Sequence, residues 1–134
     1  MATLAALWTG CDPTTYINQK HNFTSKWQVS KVVAPSYPFD KANATNTIDL
    51  SFPKQGEFLL HLSVNSCGGT YEANPEGYIS FTRTSCTEQC CDSEWEYYIL
   101  TLIRKASRYD GGEDGQPLYL YMDKKNYIVL EQPN

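Results

Sequence analysis

The chain has 134 residues and a formal net charge of −4, which is typical of a single domain large enough to bury its own core. The acidic balance and the lack of a basic run exclude a nucleic-acid-binding protein, because phosphate contacts need clustered Lys and Arg. Ten tyrosines and three tryptophans favour half-buried strands with one wet face.

The N-terminal segment carries a possible membrane attachment. Residues 1–11 are apolar and end at Cys11, like the tail of a bacterial lipoprotein signal whose cysteine becomes lipidated. No Lys or Arg precedes the run and Trp8 is unusual there, so the alternative is an ordinary disordered N-terminus with a stray thiol. We interpret 1–25 as a signal-peptide remnant and polar tether, and 26–134 as a single domain. No other apolar run is long enough to span a bilayer.

Alternating apolar and polar residues predict strands before the helix. The first covers 26–33, with Trp27, Val29 and Val33 on the core side. Segments 47–52 and 57–65 flank a four-residue turn and form a predicted hairpin, with Val64 facing the core and Asn65 facing solvent. A tight glycine turn at 67–71 leads into a short strand. Another strand covers 78–84.

The segment 94–106 is the only one with convincing helical periodicity. One apolar stripe comprises Trp95, Tyr98, Ile99, Leu102, Ile103 and Ala106. Ser93 and Glu96 have the spacing of a capping box, and Glu96 is expected off the stripe. Such a stripe needs an apolar surface to cover, which predicts packing against the sheet.

An acidic glycine loop is predicted at 110–116, followed by a terminal hairpin of 118–122 and 127–131. In its first strand Leu118, Leu120 and Met122 alternate with Tyr119 and Tyr121. Seven or so short strands and one helix predict a mainly β (α+β) fold. We expect a small antiparallel curled sheet or barrel with one amphipathic helix packed on it.

Four cysteines remain besides Cys11: Cys67, Cys86, Cys90 and Cys91. An even number in an exported chain predicts two disulfides. Cys67–Cys91 with Cys86–Cys90 is the favoured pairing, while Cys67–Cys86 and Cys67–Cys90 stay open. A bridge between the adjacent Cys90 and Cys91 is least favoured, because it closes a strained ring.

The order of these landmarks resembles the META domain family, small bacterial envelope proteins that include heat-inducible lipoproteins. Only Cys67 of Ser66-Cys67-Gly68 matches the family's central glycine-cysteine-asparagine turn. Thr87 and Cys91 match its Thr-x-x-x-Cys before the helix, and its final hairpin corresponds to Leu118, Leu120 and Leu130. The resemblance covers 26–131 and implies a compact β-rich domain with one helix on a curved sheet. The family is linked to stress responses, secretion and drug tolerance, which implies no particular chemistry.

Chemical sites are weakly indicated. His61 with Cys67, Cys86 and Cys90 or Cys91 offers zinc ligands, but their spacing is not paired and an oxidising compartment favours disulfides. As a general base, His61 would act on Ser63 without an acidic partner to orient it. Asp110, Glu113 and Asp114 lack a full set of calcium ligands, so a solvated loop is expected. We predict no catalytic, metal or cofactor site.

The sequence therefore predicts a monomeric, non-enzymatic lipoprotein domain of the bacterial cell envelope, facing the periplasm or held at the outer membrane. Its contact with a membrane would be the lipid on Cys11 alone, and its partner would be an envelope protein. The alternative is lipocalin-like binding of a small apolar ligand, which the many aromatic residues favour. Short strands argue against it, since a small barrel is normally filled by its own side chains.

Overall fold

The structure, a computed structural model, describes Phe23 and residues 26–37, 47–113 and 115–133. Within these residues, eight antiparallel strands form one sheet in the order β5-β4-β3-β2-β1-β8-β7-β6. The strands are β1 (Lys26–Val33), β2 (Asp49–Ser51), β3 (Glu57–His61), β4 (Ser66–Ala73), β5 (Ile79–Cys86), β6 (Arg108–Gly111), β7 (Leu118–Tyr121) and β8 (Tyr127–Glu131). Helix α1 spans Glu94–Arg104. The predicted class, one helix on a curled antiparallel sheet, is confirmed.

A β-bulge in β1 corrects the predicted strand faces. Trp27 faces the core and is 1% exposed, as predicted. The register against β8 shifts between Val29 and Lys31, and an extra residue reverses which side chains face inward. Val32 is therefore buried and Val33 only half-buried, the opposite of the simple alternation.

The predicted hairpin 47–52/57–65 is present but shorter. Leu50 pairs with Leu60 across β2 and β3, and β3 ends at His61. A turn follows, closed by the hydrogen bond from the Leu62 N–H to the Asn65 carbonyl oxygen. The turn reverses the alternation, so Asn65 is 3% exposed and Val64 is 42% exposed, the opposite of the predicted faces.

Parts of two segments predicted as turn or loop are strand. The glycines at 68 and 69 lie inside β4, and the first two residues of the predicted loop 110–116 belong to β6. At Gly69 a β carbon would stand 2.6 Å from the Thr82 carbonyl oxygen, since the β4–β5 register is irregular there. Gly69 thus permits a close backbone approach at a bulge, a use of glycine that resembles a turn in the sequence.

The two ends of the sheet approach each other and make it a half-barrel. Tyr78, just before β5, bridges to Arg108 of β6. The Ile79 N–H donates to the Ser107 carbonyl oxygen at 3.2 Å, and the Tyr109 N–H donates to the Gly77 carbonyl oxygen at 2.9 Å. The edge of β6 is therefore partly paired at this end.

Helix α1 buries its predicted stripe against the concave side of the sheet. Ile99, Leu102 and Ile103 are fully buried, and Trp95 and Tyr98 pack at the margin of the core. The capping box of Ser93 and Glu96 is confirmed. No helix of the described segments is both long and apolar enough to cross a membrane.

Phe23 extends the packed domain toward the N-terminus. Its ring is 4% exposed and contacts the rings of Phe52, Tyr71 and Tyr109, with centroids 5.1, 5.9 and 4.9 Å away. The core therefore includes a residue of the predicted tether, three positions before the predicted start of the domain. Cys11 lies outside the described residues.

Candidate functional site

The disulfide of the sheet joins Cys67 to Cys86. These residues lie directly opposite each other in β4 and β5, with Cα atoms 4.0 Å apart. This is one of the open alternatives, and the favoured Cys67–Cys91 pairing is wrong because strand register places Cys86 opposite Cys67. Because Cys86 is bonded to Cys67, the predicted Cys86–Cys90 bridge is also wrong.

A buried amide holds the segment before α1 against the β3–β4 turn. The Asn65 Oδ1 atom accepts hydrogen bonds from the Thr87 hydroxyl at 2.7 Å and the Gln89 N–H at 2.8 Å. Its Nδ2 atom donates to the Gln89 carbonyl oxygen and to Asp92 Oδ2, each at 2.7 Å. Every hydrogen-bonding position of the amide is thus occupied.

Two buried carboxylates complete this arrangement. Asp92 accepts hydrogen bonds from the backbone N–H groups of Val64 at 2.6 Å and of Asn65. Glu96 accepts from the Ser63 N–H at 2.5 Å and the Ser93 N–H at 2.8 Å. We call Asn65, Asp92 and Glu96 the anchor cluster, since together they fasten α1 to the β3–β4 turn.

Glu96 is fully buried, which corrects its predicted position off the buried stripe. Burial raises the pKa of a carboxyl group, but the hydrogen bonds from Ser63 and Ser93 outweigh it and hold the pKa of Glu96 below its ordinary value of 4.5. The carboxylate is therefore ionised near neutral pH and acts as a structural acceptor at the positive end of the helix dipole.

His61 and Ser63 do not form a nucleophile and base. His61 is exposed, and its Nδ1 atom lies 3.2 Å from the Ser66 hydroxyl. Ser63 contributes its backbone N–H to Glu96. The bridge between Cys67 and Cys86 occupies two sulfurs of the hypothetical zinc site. Among the described residues, no three His, Cys, Asp or Glu side chains are grouped to hold a metal ion.

An open groove of about 1070 Å³ lies on the outer side of the sheet, beside β6. Its walls are the turn at 75–77, the residues Glu113 and Gln116, and the turn at 123–124. The charged residues and tyrosines that line it are Glu76, Arg108, Tyr109, Asp110, Glu113, Tyr121, Asp123 and Lys124. We call it the outer groove. The former calcium candidates Asp110 and Glu113 both belong to it, while Asp114 lies outside the described residues.

Tyr121 lines the groove, and the rings of Tyr119 and Tyr127 lie beside it on the sheet, outside the groove lining. Tyr121 pairs with Arg108 on β6 and with Tyr127 on β8, and paired residues project from the same face of a sheet. The ring centroid of Tyr121 lies 6.3 Å from that of Tyr119, with planes 15° apart, and 5.4 Å from that of Tyr127. All three residues are half-buried, which leaves part of each ring accessible.

The electrostatics of the groove keep the central hydroxyl neutral. Burial, then the negative charge of Asp110 and the neighbouring tyrosines, raises the pKa of Tyr121 above its ordinary 10.0. Tyr121 therefore remains a hydrogen-bond donor at neutral pH. Tyr119 and Tyr121 alternate with leucines in the sequence, but no binding site was predicted on them. The missed signal was that these strands have polar aromatic outer faces.

Side chains fill the concave side of the sheet. Each of these residues is at most 1% exposed: Trp27, Leu50, Leu60, Ile79, Ile99, Leu102, Leu118, Leu120, Ile128 and Leu130. Small half-barrels of this width are expected to be packed in this way.

Comparisons with known proteins agree with this architecture. The model of the META domain family matches residues 21–134. The structure is similar to a crystal structure of a DUF4847 family protein from Bacteroides vulgatus, at 18% identity and a TM-score of 0.61, over 82% of this chain and 93% of that one. It is also similar to the NMR structure of a protein from Burkholderia xenovorans, at 15% identity and a TM-score of 0.63, over 87% and 91% of the two chains. No curated protein matches the chain. At these identities the two structures show a shared fold.

Proposed function

This chain belongs to the META domain family, and we propose that it is an exported bacterial envelope domain, held at a membrane by a lipid on Cys11, that acts by binding. The observation that supports export is the disulfide between Cys67 and Cys86. Structural disulfides persist in the periplasm and outside the cell and are rare in the cytosol. The apolar segment ending at Cys11 supports the anchor.

The binding role is supported by the outer face of the sheet, which presents a groove lined by charged and aromatic side chains. The alternative, a lipocalin-like site for a small apolar ligand, requires free space on the concave side. The packing of Trp27, Leu60 and Leu120 there, each at most 1% exposed, disfavours that alternative.

Lipid labelling and fractionation test the proposal. The full chain is produced in a Gram-negative bacterium fed labelled palmitate, beside the Cys11→Ser variant. The matched control is the double variant Cys90→Ser/Cys91→Ser, which replaces two other cysteines but retains Cys11. We expect labelled, membrane-bound wild type and control, and an unlabelled Cys11→Ser variant outside the membrane fraction.

Thiol alkylation before and after reduction tests the compartment in the same cells. Cys67 and Cys86 are expected to react only after reduction. Unlabelled wild-type protein in the cytosol, with both of these thiols reactive from the start, contradicts the proposal.

A further inference from the structure

The outer groove contains polar groups that the fold leaves available. One guanidinium nitrogen of Arg108 donates to the Glu76 carbonyl oxygen at 3.1 Å, which leaves its other N–H groups for a ligand. Asp110 accepts one hydrogen bond, from the Gly111 N–H at 2.8 Å. Among the described residues, the ion pair of Lys26 with Asp49 involves neither these groups nor Lys124.

The groove is lined by four acids and two cations, so its charges are mixed, with an excess of acid. Asp123 is used by its own turn, where it accepts hydrogen bonds from the Lys125 N–H and from the Asn126 side chain. The remaining acids, Glu76, Asp110 and Glu113, face the cations Arg108 and Lys124. A strongly cationic or anionic ligand would meet like charges, whereas a neutral ligand with many donors and acceptors meets complementary groups throughout.

The neighbouring rings of Tyr119, Tyr121 and Tyr127 place a second requirement on a ligand. The rings of Tyr119 and Tyr121 are nearly parallel, and Tyr127 adjoins them. Tyrosine presents an apolar face and a polar hydroxyl together. A ligand that stacks on these rings while hydrogen bonding at its rim needs an apolar flat face with polar edges. A pyranose ring has C–H groups on its faces and hydroxyl groups around its edge.

A peptide added as a further strand fits less well. Such a strand would need free main-chain groups along β6, but the Tyr109 N–H already donates to the Gly77 carbonyl oxygen at 2.9 Å. Gly111 uses its N–H for the Asp110 side chain. The available groups of the groove are therefore side chains, which is the usual way in which a protein contacts the hydroxyl groups of a sugar.

We propose that the outer groove is a binding site for a neutral oligosaccharide, with sugar rings stacked on Tyr121 and its neighbours. Asp110 and Glu113 accept hydrogen bonds from sugar hydroxyl groups, and Arg108 and Lys124 donate to sugar oxygens. This site does not depend on the lipid anchor, so a failure of sugar binding and a failure of the proposed membrane location would be distinguishable.

Titration of the full chain with two soluble probes tests the proposal: cellotetraose and the β-1,4-linked tetramer of N-acetylglucosamine. Calorimetry gives affinities, and amide chemical shifts locate the contact. We expect shifts in 75–77, 107–111 and 121–124 with at least one probe. We also expect affinity that changes little as the salt concentration rises, because a neutral ligand forms no ion pairs that salt can screen.

Variants assign the contact to the groove. Tyr121→Ala is expected to weaken binding by about tenfold or more, while Tyr121→Phe retains the ring and stays within about threefold, a loss smaller than the 1.4 kcal/mol of a tenfold change. Asp110→Asn keeps the acceptor for Gly111 and is expected to weaken binding severalfold. The matched control is Tyr97→Ala, which removes a tyrosine that is 45% exposed on α1, outside the groove.

Three results overturn the proposal. The first is that no amide chemical shift of a groove residue changes with either probe at about 10 mM. Binding with a Kd of about 1 mM, a free energy of about −4 kcal/mol, would be detected at that concentration. The second is equal affinity of wild type and a folded Tyr121→Ala variant, and the third is salt-sensitive binding of an oligolysine peptide in the groove without sugar binding. Circular dichroism of each variant verifies folding, and Tyr121→Phe supplies a second comparison if the alanine variant unfolds.

Discussion

Replacing Asn65 with alanine tests whether the anchor cluster holds α1 to the sheet. The residue is 3% exposed, and its amide makes four hydrogen bonds, at 2.7 Å with Thr87, 2.8 and 2.7 Å with Gln89 and 2.7 Å with Asp92. Alanine removes all four at once. It also leaves the Asp92 carboxylate buried with one donor fewer.

The expected loss follows from these contacts. Three neutral hydrogen bonds at about 1 kcal/mol each and one to a carboxylate at about 2 kcal/mol set an upper value of about 5 kcal/mol. Thr87 and Gln89 are exposed, so water can form hydrogen bonds with the groups that Asn65 no longer contacts. We therefore expect Asn65→Ala to lower the free energy of unfolding by about 3 kcal/mol, which a domain of about 5–15 kcal/mol survives.

Urea unfolding at pH 7, followed by tryptophan fluorescence, measures this loss. The matched control is Asn74→Ala, whose side chain accepts two hydrogen bonds, from the N–H groups of Glu76 and Tyr78, in an exposed turn. About 1 kcal/mol is expected there. If Asn65→Ala costs no more than Asn74→Ala, the anchor cluster does not hold the helix. Asn65→Asp adds a second carboxylate beside Asp92, so its loss should be larger at pH 7 than near pH 4.

Two further changes probe the carboxylate and the disulfide. Glu96→Gln should lower the free energy of unfolding by about 2 kcal/mol at pH 7, because it removes a buried, charged acceptor. The lowered pKa of Glu96 means that its contribution is complete above its ordinary pKa of 4.5 and is lost as the pH falls through the folded value. Wild type should therefore lose stability more steeply on acidification than the variant, and parallel curves from urea unfolding at pH 3–7 would be inconsistent with this role. The double variant Cys67→Ala/Cys86→Ala opens a loop with a sequence separation of 19 and should cost about 3 kcal/mol by chain entropy. Reduction of wild type should reproduce that loss, and non-reducing peptide mapping should recover the Cys67–Cys86 fragment; a Cys67–Cys91 fragment would contradict the strand register.

The sequence predicts the parts of the fold that obey a simple period. The stripe of Ile99, Leu102 and Ile103 follows helical spacing, and the capping box at Ser93 uses a local pair of side chains. Both are confirmed because they depend on residues within a few positions of one another. The alternation of Leu118 and Leu120 is confirmed in β7 for the same reason.

The errors occur where a tertiary contact overrides the period. The bulge near Ser30 reverses which side chains of β1 face the core after it, and no single residue of that strand predicts the bulge. The position of Glu96 in the helix indicates a solvent-exposed acid, but the N–H of Ser63, 33 positions away, donates a hydrogen bond to its carboxylate. The cysteine pairing depends on the register of β4 and β5, which places Cys86 opposite Cys67. These features were unpredictable because each requires two distant segments to be aligned first.

The contrast between two adjacent residues of β7 explains why binding is expected on the outer face. Leu120 points inward and is fully buried, so shortening it would leave a cavity and cost about 2–5 kcal/mol. Tyr121 lines the groove and is half-buried, so shortening it removes contacts with the rings of Tyr119 and Tyr127 but not with the core. The interior must therefore stay apolar and filled to preserve the half-barrel, whereas the outer face can change its chemistry without loss of the fold. That outer face is where this chain presents Tyr121 and the mixed charges of the groove.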